Sequence, residues 1–241
     1  MKTWCVAAGI AGVALCLAQP SRATEQPRAV LELFTSQNCA SCPPADQLLT
    51  AYSEENVIAL TYPVTIWDHM GWRDTLARPE NTARQKSYAA LRGDSKLYTP
   101  QIVINGSYHA VGSDKDDIEK KCDTAQEGRA MRVPISAHAG KGQVDISIGA
   151  WPTPDEPPRA RVFLVSYAKE RSVPVKAGEN AGITATYTHV VESVQEVGYW
   201  SGAPLSLRLF WKPGASQGGA VLLQNVGHLG PGVIYGAVQL P

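Results

Sequence analysis

Cys39 and Cys42 are the residues of this chain whose type and spacing best suit chemistry. They lie in FTSQNCASCPPADQLL (34–49), spaced C-x-x-C and followed at once by two prolines. Such a pair can exchange disulfides, supply half of a metal site or close a structural loop. A disulfide that closes so short a loop gains little from chain entropy, so a purely structural role is the poorest use of the pair.

A metal site at these cysteines is the second interpretation. A structural zinc site needs four ligands, and the chain has neither a second C-x-x-C nor a paired histidine motif. Cysteine and methionine favour Cu(I), and His69 and Met70 could join the two cysteines. Periplasmic Cu(I) binding or delivery therefore stays open beside thiol–disulfide exchange. A third class is a non-catalytic binding module with a structural disulfide.

The two prolines after Cys42 predict where a helix begins. Proline is tolerated in the first turn of a helix and not in its interior, so Pro43 and Pro44 place the start at about Cys42. Cys39 then lies just outside the helix, near its positive end, where a thiolate is stabilised and its pKa is lowered. We therefore predict that Cys39 is the nucleophile and that Cys42 resolves the mixed disulfide.

The first 23 residues have the layout of a secretory signal peptide. A lysine near the start is followed by an apolar stretch and by Ser21-Arg22-Ala23, which predicts cleavage after Ala23. The apolar stretch is short for a membrane span, which needs about 20 residues. We therefore expect a periplasmic or secreted protein that is not inserted in a membrane after cleavage. Three cysteines remain in this oxidising compartment: Cys39, Cys42 and Cys122.

Charge and motif content exclude several function classes. The chain has 22 basic and 22 acidic residues, and no basic run indicates binding to nucleic acid or to a lipid surface. No G-x-S-x-G elbow, H-E-x-x-H helix or Walker-type loop is present. The expected partners are protein thiols or a redox partner protein. Because the redox couple is internal, no cofactor is required and we assign no metal ligand.

The first half of the chain alternates strand and helix patterns. They predict strands at 29–34 and 56–62, helices at 43–55, 78–93 and 113–128, and a hairpin at 99–112 that turns at Asn105-Gly106. Ser113 is the expected cap of the last helix, and Cys122 is expected to be a buried structural thiol on it. This order suits an α/β domain over residues 24–128.

The second half, residues 129–241, has short β-rich runs separated by Gly and Pro. Such spacing predicts a separate β-rich, sandwich-like domain. The proline-rich stretch 152–158 lies between two of these strands and is expected to be a stiff surface loop.

Four stretches of the first half carry a resemblance to a known family. ELFTSQNCASCPPAD, WDHMGWRD, TARQKSYA and YTPQIVINGSYHAVGSD together closely resemble the secreted thioredoxin-like proteins grouped as domain-of-unknown-function family 1223. The match covers roughly residues 28–125. It implies a thioredoxin-like fold, export and a redox role, and it implies no known substrate.

The resemblance also implies roles for residues away from the cysteines. In thioredoxin-like folds a cis-proline opens the strand that faces the C-x-x-C turn, and Thr99-Pro100 has that position. Glu32 lies close to where thioredoxin has a buried acid, so it is either a proton acceptor for Cys42 or a carboxylate bound to backbone or arginine.

The long segment 63–79 is the remaining candidate for the site. Ile66, Trp67 and Met70 are spaced as a helical turn that packs inward. Long structured loops are often functional, however. We therefore take Trp67, Asp68 and Trp72 as candidates, together with Thr99, for lining a substrate site.

Overall fold

The computed structural model describes residues 26–240. The predicted signal peptide, residues 1–23, lies outside them. The elements of the first half are β1 (Ala29–Thr35), α1 (Pro43–Ser53), β2 (Val57–Pro63), α2 (Pro79–Arg92), β3 (Gln101–Ile104), β4 (Tyr108–Val111) and α3 (Lys115–Glu127). Those of the second half are β5 (Ile135–Gly140), β6 (Gln143–Ile148), β7 (Ala160–Pro174), β8 (Thr184–Trp200), β9 (Leu205–Phe210), β10 (Gln217–Gly227) and β11 (Gly230–Gln239).

Local sequence signals set most of the element ends. Helix α1 begins at Pro43 with Cys42 as its N-cap, as the two prolines predict. The β3–β4 hairpin turns at Asn105 and Gly106, which both have positive φ. The cap of α3 differs from the expectation, because the side chain of Asp114, and not that of Ser113, accepts a hydrogen bond from the amide of Asp117.

The fold is mixed α/β, with a large sheet of eight strands and a small sheet of three. The large sheet has the order β11-β10-β7-β8-β2-β1-β3-β4, and the small one has the order β5-β6-β9. Strands β1 and β2 are parallel, and β1 and β3 are antiparallel. Strand β8 joins the two halves of the large sheet through Thr61 and Val190. Strands on both sides of the predicted domain boundary at residue 128 thus share one sheet.

Side chains alternate between the two faces of the large sheet. From β1, Leu31 and Leu33 pack with the buried side chains of α1 and α3. Val30 and Phe34 point the other way, into a core that includes Tyr88 of α2. Strand β10 alternates likewise, with its Val221 and Leu223 packing against the small sheet, in the core that contains Val144 and Ile146 of β6.

A buried polar network ties α2 to both halves of the large sheet. Arg84 of α2 forms an ion pair of 2.7 Å with Glu32 of β1, whose side chain is fully buried. The same guanidinium donates to Gln224 of β10 and to the hydroxyl of Tyr88. Because each charge lies away from water, removing either partner would leave the other uncompensated, which typically costs about 3–5 kcal/mol.

Candidate functional site

Cys39 and Cys42 lie in the turn between β1 and α1 and form a disulfide with a Cα–Cα distance of 5.4 Å. The amide of Cys42 donates to the carbonyl of Cys39 at 3.1 Å, and the amides of Ala45 and Asp46 donate to the carbonyl of Cys42. Cys39 is 5% exposed and Cys42 is fully buried. A reagent in solvent can therefore approach Cys39 and not Cys42.

The start of α1 offers few amide donors to a thiolate. Pro43 and Pro44 occupy the first positions of the helix and have no N–H group. The amide of Ala40 donates to a carboxylate oxygen of Glu179 at 3.1 Å. The thiolate stabilisation expected at Cys39 from free amides is therefore smaller than at a helix that starts without prolines.

The peptide bond between Thr99 and Pro100 is cis. Gly112, after β4, fits between this turn and α1, because a Cβ placed on it would lie 3.1 Å from Pro100 and 3.1 Å from Ala45. The amide of Gly112 donates to the carbonyl of Pro100 at 3.0 Å. Gly112 therefore separates the Thr99–Pro100 turn from the first turn of α1 by a single residue that has no side chain.

A surface cleft of about 270 Å³ opens beside Cys39. Its lining residues are Cys39, Ala40, Ser41, Trp67, Met70, Thr99 and Glu179. The indole of Trp67 donates to the hydroxyl of Thr99 at 2.7 Å, which joins the 63–79 segment to the cis-proline turn. Met70 is 44% exposed and does not pack inward, contrary to the helical-turn expectation.

Two other candidates of the 63–79 segment support the cleft without lining it. The indole of Trp72 donates to the side-chain oxygen of Gln37 at 2.9 Å. A carboxylate oxygen of Asp68 accepts from the amide of Asp74 at 3.0 Å. Asp74 in turn accepts from the amide of Gln37 at 2.8 Å. These contacts hold the segment against the residues that precede Cys39.

Glu32 is not brought near the cysteines. It lies on the α2 side of β1, whereas α1 packs on the other side with Leu31 and Leu33. Its carboxylate is bound to Arg84 and accepts from the hydroxyl of Tyr88 at 2.5 Å. The structure thus places Glu32 in the arginine-bound arrangement, where it cannot take a proton from Cys42.

A different buried acid, Asp46, lies on the side of Cys42. It follows Cys42 by four residues, so the two share a face of α1. Burial raises the pKa of Asp46 to about 8, the charge of Asp74 adds to this shift, and the hydroxyl of Thr35 partly opposes it. Burial also raises the pKa of Asp74. The spacing of four residues was a usable sequence signal for Asp46.

The loop between β7 and β8, residues 175–183, covers the residues around Cys39. The side chain of Asn180 donates to the carbonyls of Gln37 and Cys39 at 3.0 and 2.9 Å. The amide of Glu179 donates to the side chain of Asn38 at 2.9 Å. At Gly178 any Cβ would collide with that same Asn38 side chain. The loop is about 140 residues away in sequence, so no local pattern could reveal its position.

Cys122 takes no part in this site. It is fully buried on α3, packed with Ile118, and burial raises the pKa of its thiol to about 11. Within residues 26–240, no three His, Cys, Asp or Glu side chains come close enough together to hold a metal ion.

None of the helices in residues 26–240 has both the length and the hydropathy that crossing a bilayer would require.

Comparisons with known proteins give a family and no established activity. A family profile described as "Protein of unknown function (DUF1223)" matches residues 30–224. No curated protein matches the chain. A crystal structure of protein AGR_C_4864 from Agrobacterium tumefaciens, a structural genomics target, is similar at 38% identity and a TM-score of 0.78, over 90% of this chain and 96% of that one.

A second solved structure, HBP35 of Porphyromonas gingivalis, shares the fold alone. Its identity is 12% and its TM-score is 0.59, over 90% of this chain and 76% of that one. The family profile spans most of the sequence, including both cysteines and much of the β-rich half. The chain therefore belongs to the DUF1223 family of proteins of unknown function.

Proposed function

We propose that this chain is an exported thiol–disulfide oxidoreductase with a thioredoxin-like fold, acting on protein thiols through Cys39 and Cys42. The observation that carries the proposal is the position of the disulfide. Cys39 lines a surface cleft together with Thr99, whereas Cys42 is fully buried at the helix start. A structural disulfide would have no need of an approachable sulfur beside a cleft.

The proposed exchange runs in two steps. A substrate thiolate attacks the sulfur of Cys39, a mixed disulfide forms, and Cys42 leaves as the thiolate. A second thiolate of the same substrate then attacks the substrate sulfur of the mixed disulfide. The substrate leaves with a new disulfide, and Cys39 leaves as a thiolate. Run in reverse, Cys39 attacks a substrate disulfide and Cys42 resolves the intermediate.

Asp46 suits the role of proton carrier for Cys42 in this proposal. When Cys42 leaves as a thiolate in a buried position, it needs a proton, because burial disfavours the charged sulfur. A carboxyl with a pKa of about 8, one helical turn away, holds a proton at neutral pH and can release one in return. Asp46 thus replaces Glu32 in the mechanism.

Thr99 and Trp67 complete the proposed substrate site. Both line the cleft, and the hydrogen bond between them fixes the indole beside the cis-proline turn. An extended segment around the substrate cysteine would lie between this wall and Cys39. A periplasmic or extracellular location agrees with the signal peptide pattern and with an oxidised resting pair.

Trapping of the mixed disulfide tests the proposal. In the Cys42→Ala variant the thiol of Cys39 should react with a disulfide-bonded peptide and keep it, because no resolving thiol remains. The Cys39→Ala variant should form no adduct, since Cys42 is fully buried. Cys122→Ala serves as the matched control and should behave as the wild type. Mass spectrometry of the adducts gives the result, and equal labelling of the two active-site variants would contradict the proposal.

A further inference from the structure

The cleft beside Cys39 has an uneven chemical lining. Trp67 and Met70 form an apolar wall, and Ser41 and Thr99 contribute hydroxyl groups. Within residues 26–240, Glu179 is the only charged residue that lines it. A molecule that enters the cleft to reach Cys39 therefore meets one negative charge and no positive charge on its walls.

Two hydrogen bonds fix the position of Glu179, one at its backbone amide and one at its carboxylate. Its amide donates to the side chain of Asn38, and its carboxylate accepts from the amide of Ala40. The next residue, Asn180, holds the loop to the carbonyl of Cys39. The carboxylate is thus held at the residue next to Cys39, although Glu179 itself is exposed to solvent.

Neighbouring charged residues do not form part of the cleft wall. Arg73 and Lys176 belong to the two loops that border it, and both are exposed and absent from its lining. Asp68, whose carboxylate accepts from the amide of Asp74, is likewise absent from the lining. Of the charged side chains on the segments around the cleft, Glu179 is thus the one that forms part of its wall.

We propose that Glu179 is a specificity-determining residue that makes the cleft favour partners with a positive charge beside the reacting sulfur. The inference rests on the proposed function, and it names the partner class as a cysteine flanked by basic residues. An anionic partner is repelled at the same point. The β-rich half thereby contributes a residue to substrate choice through its β7–β8 loop.

Three small disulfides of similar size and different charge test this inference. They are cystamine, which is cationic, 2-hydroxyethyl disulfide, which is neutral, and 3,3′-dithiodipropionate, which is anionic. In each reaction the reduced Cys39 attacks the disulfide and releases one small thiolate. Cys42 then attacks Cys39 and releases the second, so the small disulfide gains two electrons and the pair is oxidised.

Rates of thiol loss in the reduced protein give the measurement. The rate with the neutral disulfide normalises the other two, which removes any change in the intrinsic reactivity of Cys39. At low salt, the cationic-to-anionic ratio in Glu179→Gln should fall about five-fold, as expected for one solvent-exposed charge acting on a charged ligand. The Glu179→Lys variant should invert the preference, and high salt should shrink all of these differences.

Glu54→Gln is the matched control, because Glu54 is an exposed acid at the far end of α1. Its ratio should equal that of the wild type. An unchanged ratio in both Glu179 variants, with all disulfides still reacting, would overturn the inference and leave the proposed function standing. A wild-type protein that reacts with none of the three disulfides would overturn the proposed function and this inference with it.

Discussion

Replacement of Asp46 by asparagine should stabilise the folded protein at neutral pH. Asp46 lies in the first turn of α1, where the helix dipole favours a negative charge by about 0.3–1 kcal/mol. Asp46 is only 8% exposed, however, and burial raises the pKa of its carboxyl from the ordinary 3.8 to about 8. Burial therefore outweighs the dipole, and the folded state resists ionisation of this carboxyl.

The size of the effect follows from linkage. Each unit of pKa difference between the folded and unfolded states corresponds to about 1.4 kcal/mol. Well below pH 3.8 the carboxyl is protonated in both states and adds no pH dependence. As the pH rises from about 4 to 8, only the unfolded state loses the proton, so the free energy of unfolding falls. At pH 7 the cumulative loss is on the order of 4 kcal/mol.

Urea unfolding of the oxidised protein between pH 4 and 8.5 measures this difference. Asp46→Asn should match the wild type near pH 4 and exceed it by roughly 3–5 kcal/mol at pH 7. Asp123→Asn, an exposed acid on α3, is the matched control and should show no such divergence. A stability difference at Asp46 that stays the same at every pH would refute the reasoning, because it would owe nothing to ionisation.

Two further predictions concern the core. Arg84→Ala should lower the free energy of unfolding by about 3–5 kcal/mol, because it leaves the buried Glu32 without its partner. The double variant Arg84→Met with Glu32→Gln should recover much of that loss in the same denaturant titration. Alkylation at Cys122, read by peptide mass spectrometry, should require denaturant even at pH 8.5, because the thiol is fully buried and its pKa is about 11.

Local patterns sufficed for the first half of the fold. The hydrophobic spacing, the two prolines and the Asn105-Gly106 turn are signals that act over a few residues, and the helices and strands lie where they indicate. The cap of α3 lies one residue later than the sequence predicts, since Ser113 and Asp114 are both good caps and only the hydrogen bond distinguishes them.

Local sequence patterns do not predict the contacts between distant parts of the chain. The pairing of Thr61 with Val190 merges strands of both halves in one sheet, although nothing near either residue signals it. The resemblance leaves two roles open for Glu32, and the face of the strand decides between them, because that face alternates with each residue. Its side chain therefore lies on the side opposite α1, and the acid beside Cys42 is Asp46.

The site itself was predicted in part. Cys39, Thr99 and Trp67 line one cleft, and Pro100 adjoins α1 through Gly112. Asp68 and Trp72 do not line the cleft, and their hydrogen bonds hold loops together. Glu179 and Asn180 were missed because they reach the cysteines from a loop on the other half of the chain.

The reduction potential of the Cys39–Cys42 pair tests the central claim most directly. The folded protein would be equilibrated with thiol–disulfide buffers, and the oxidised fraction of the pair would be read by mass spectrometry after alkylation. A pair that exchanges with protein thiols should titrate reversibly, as a two-electron couple, between about −120 and −270 mV. A reduction potential below about −300 mV, with the pair reduced only when the protein unfolds, would identify a structural disulfide. That result would contradict the account.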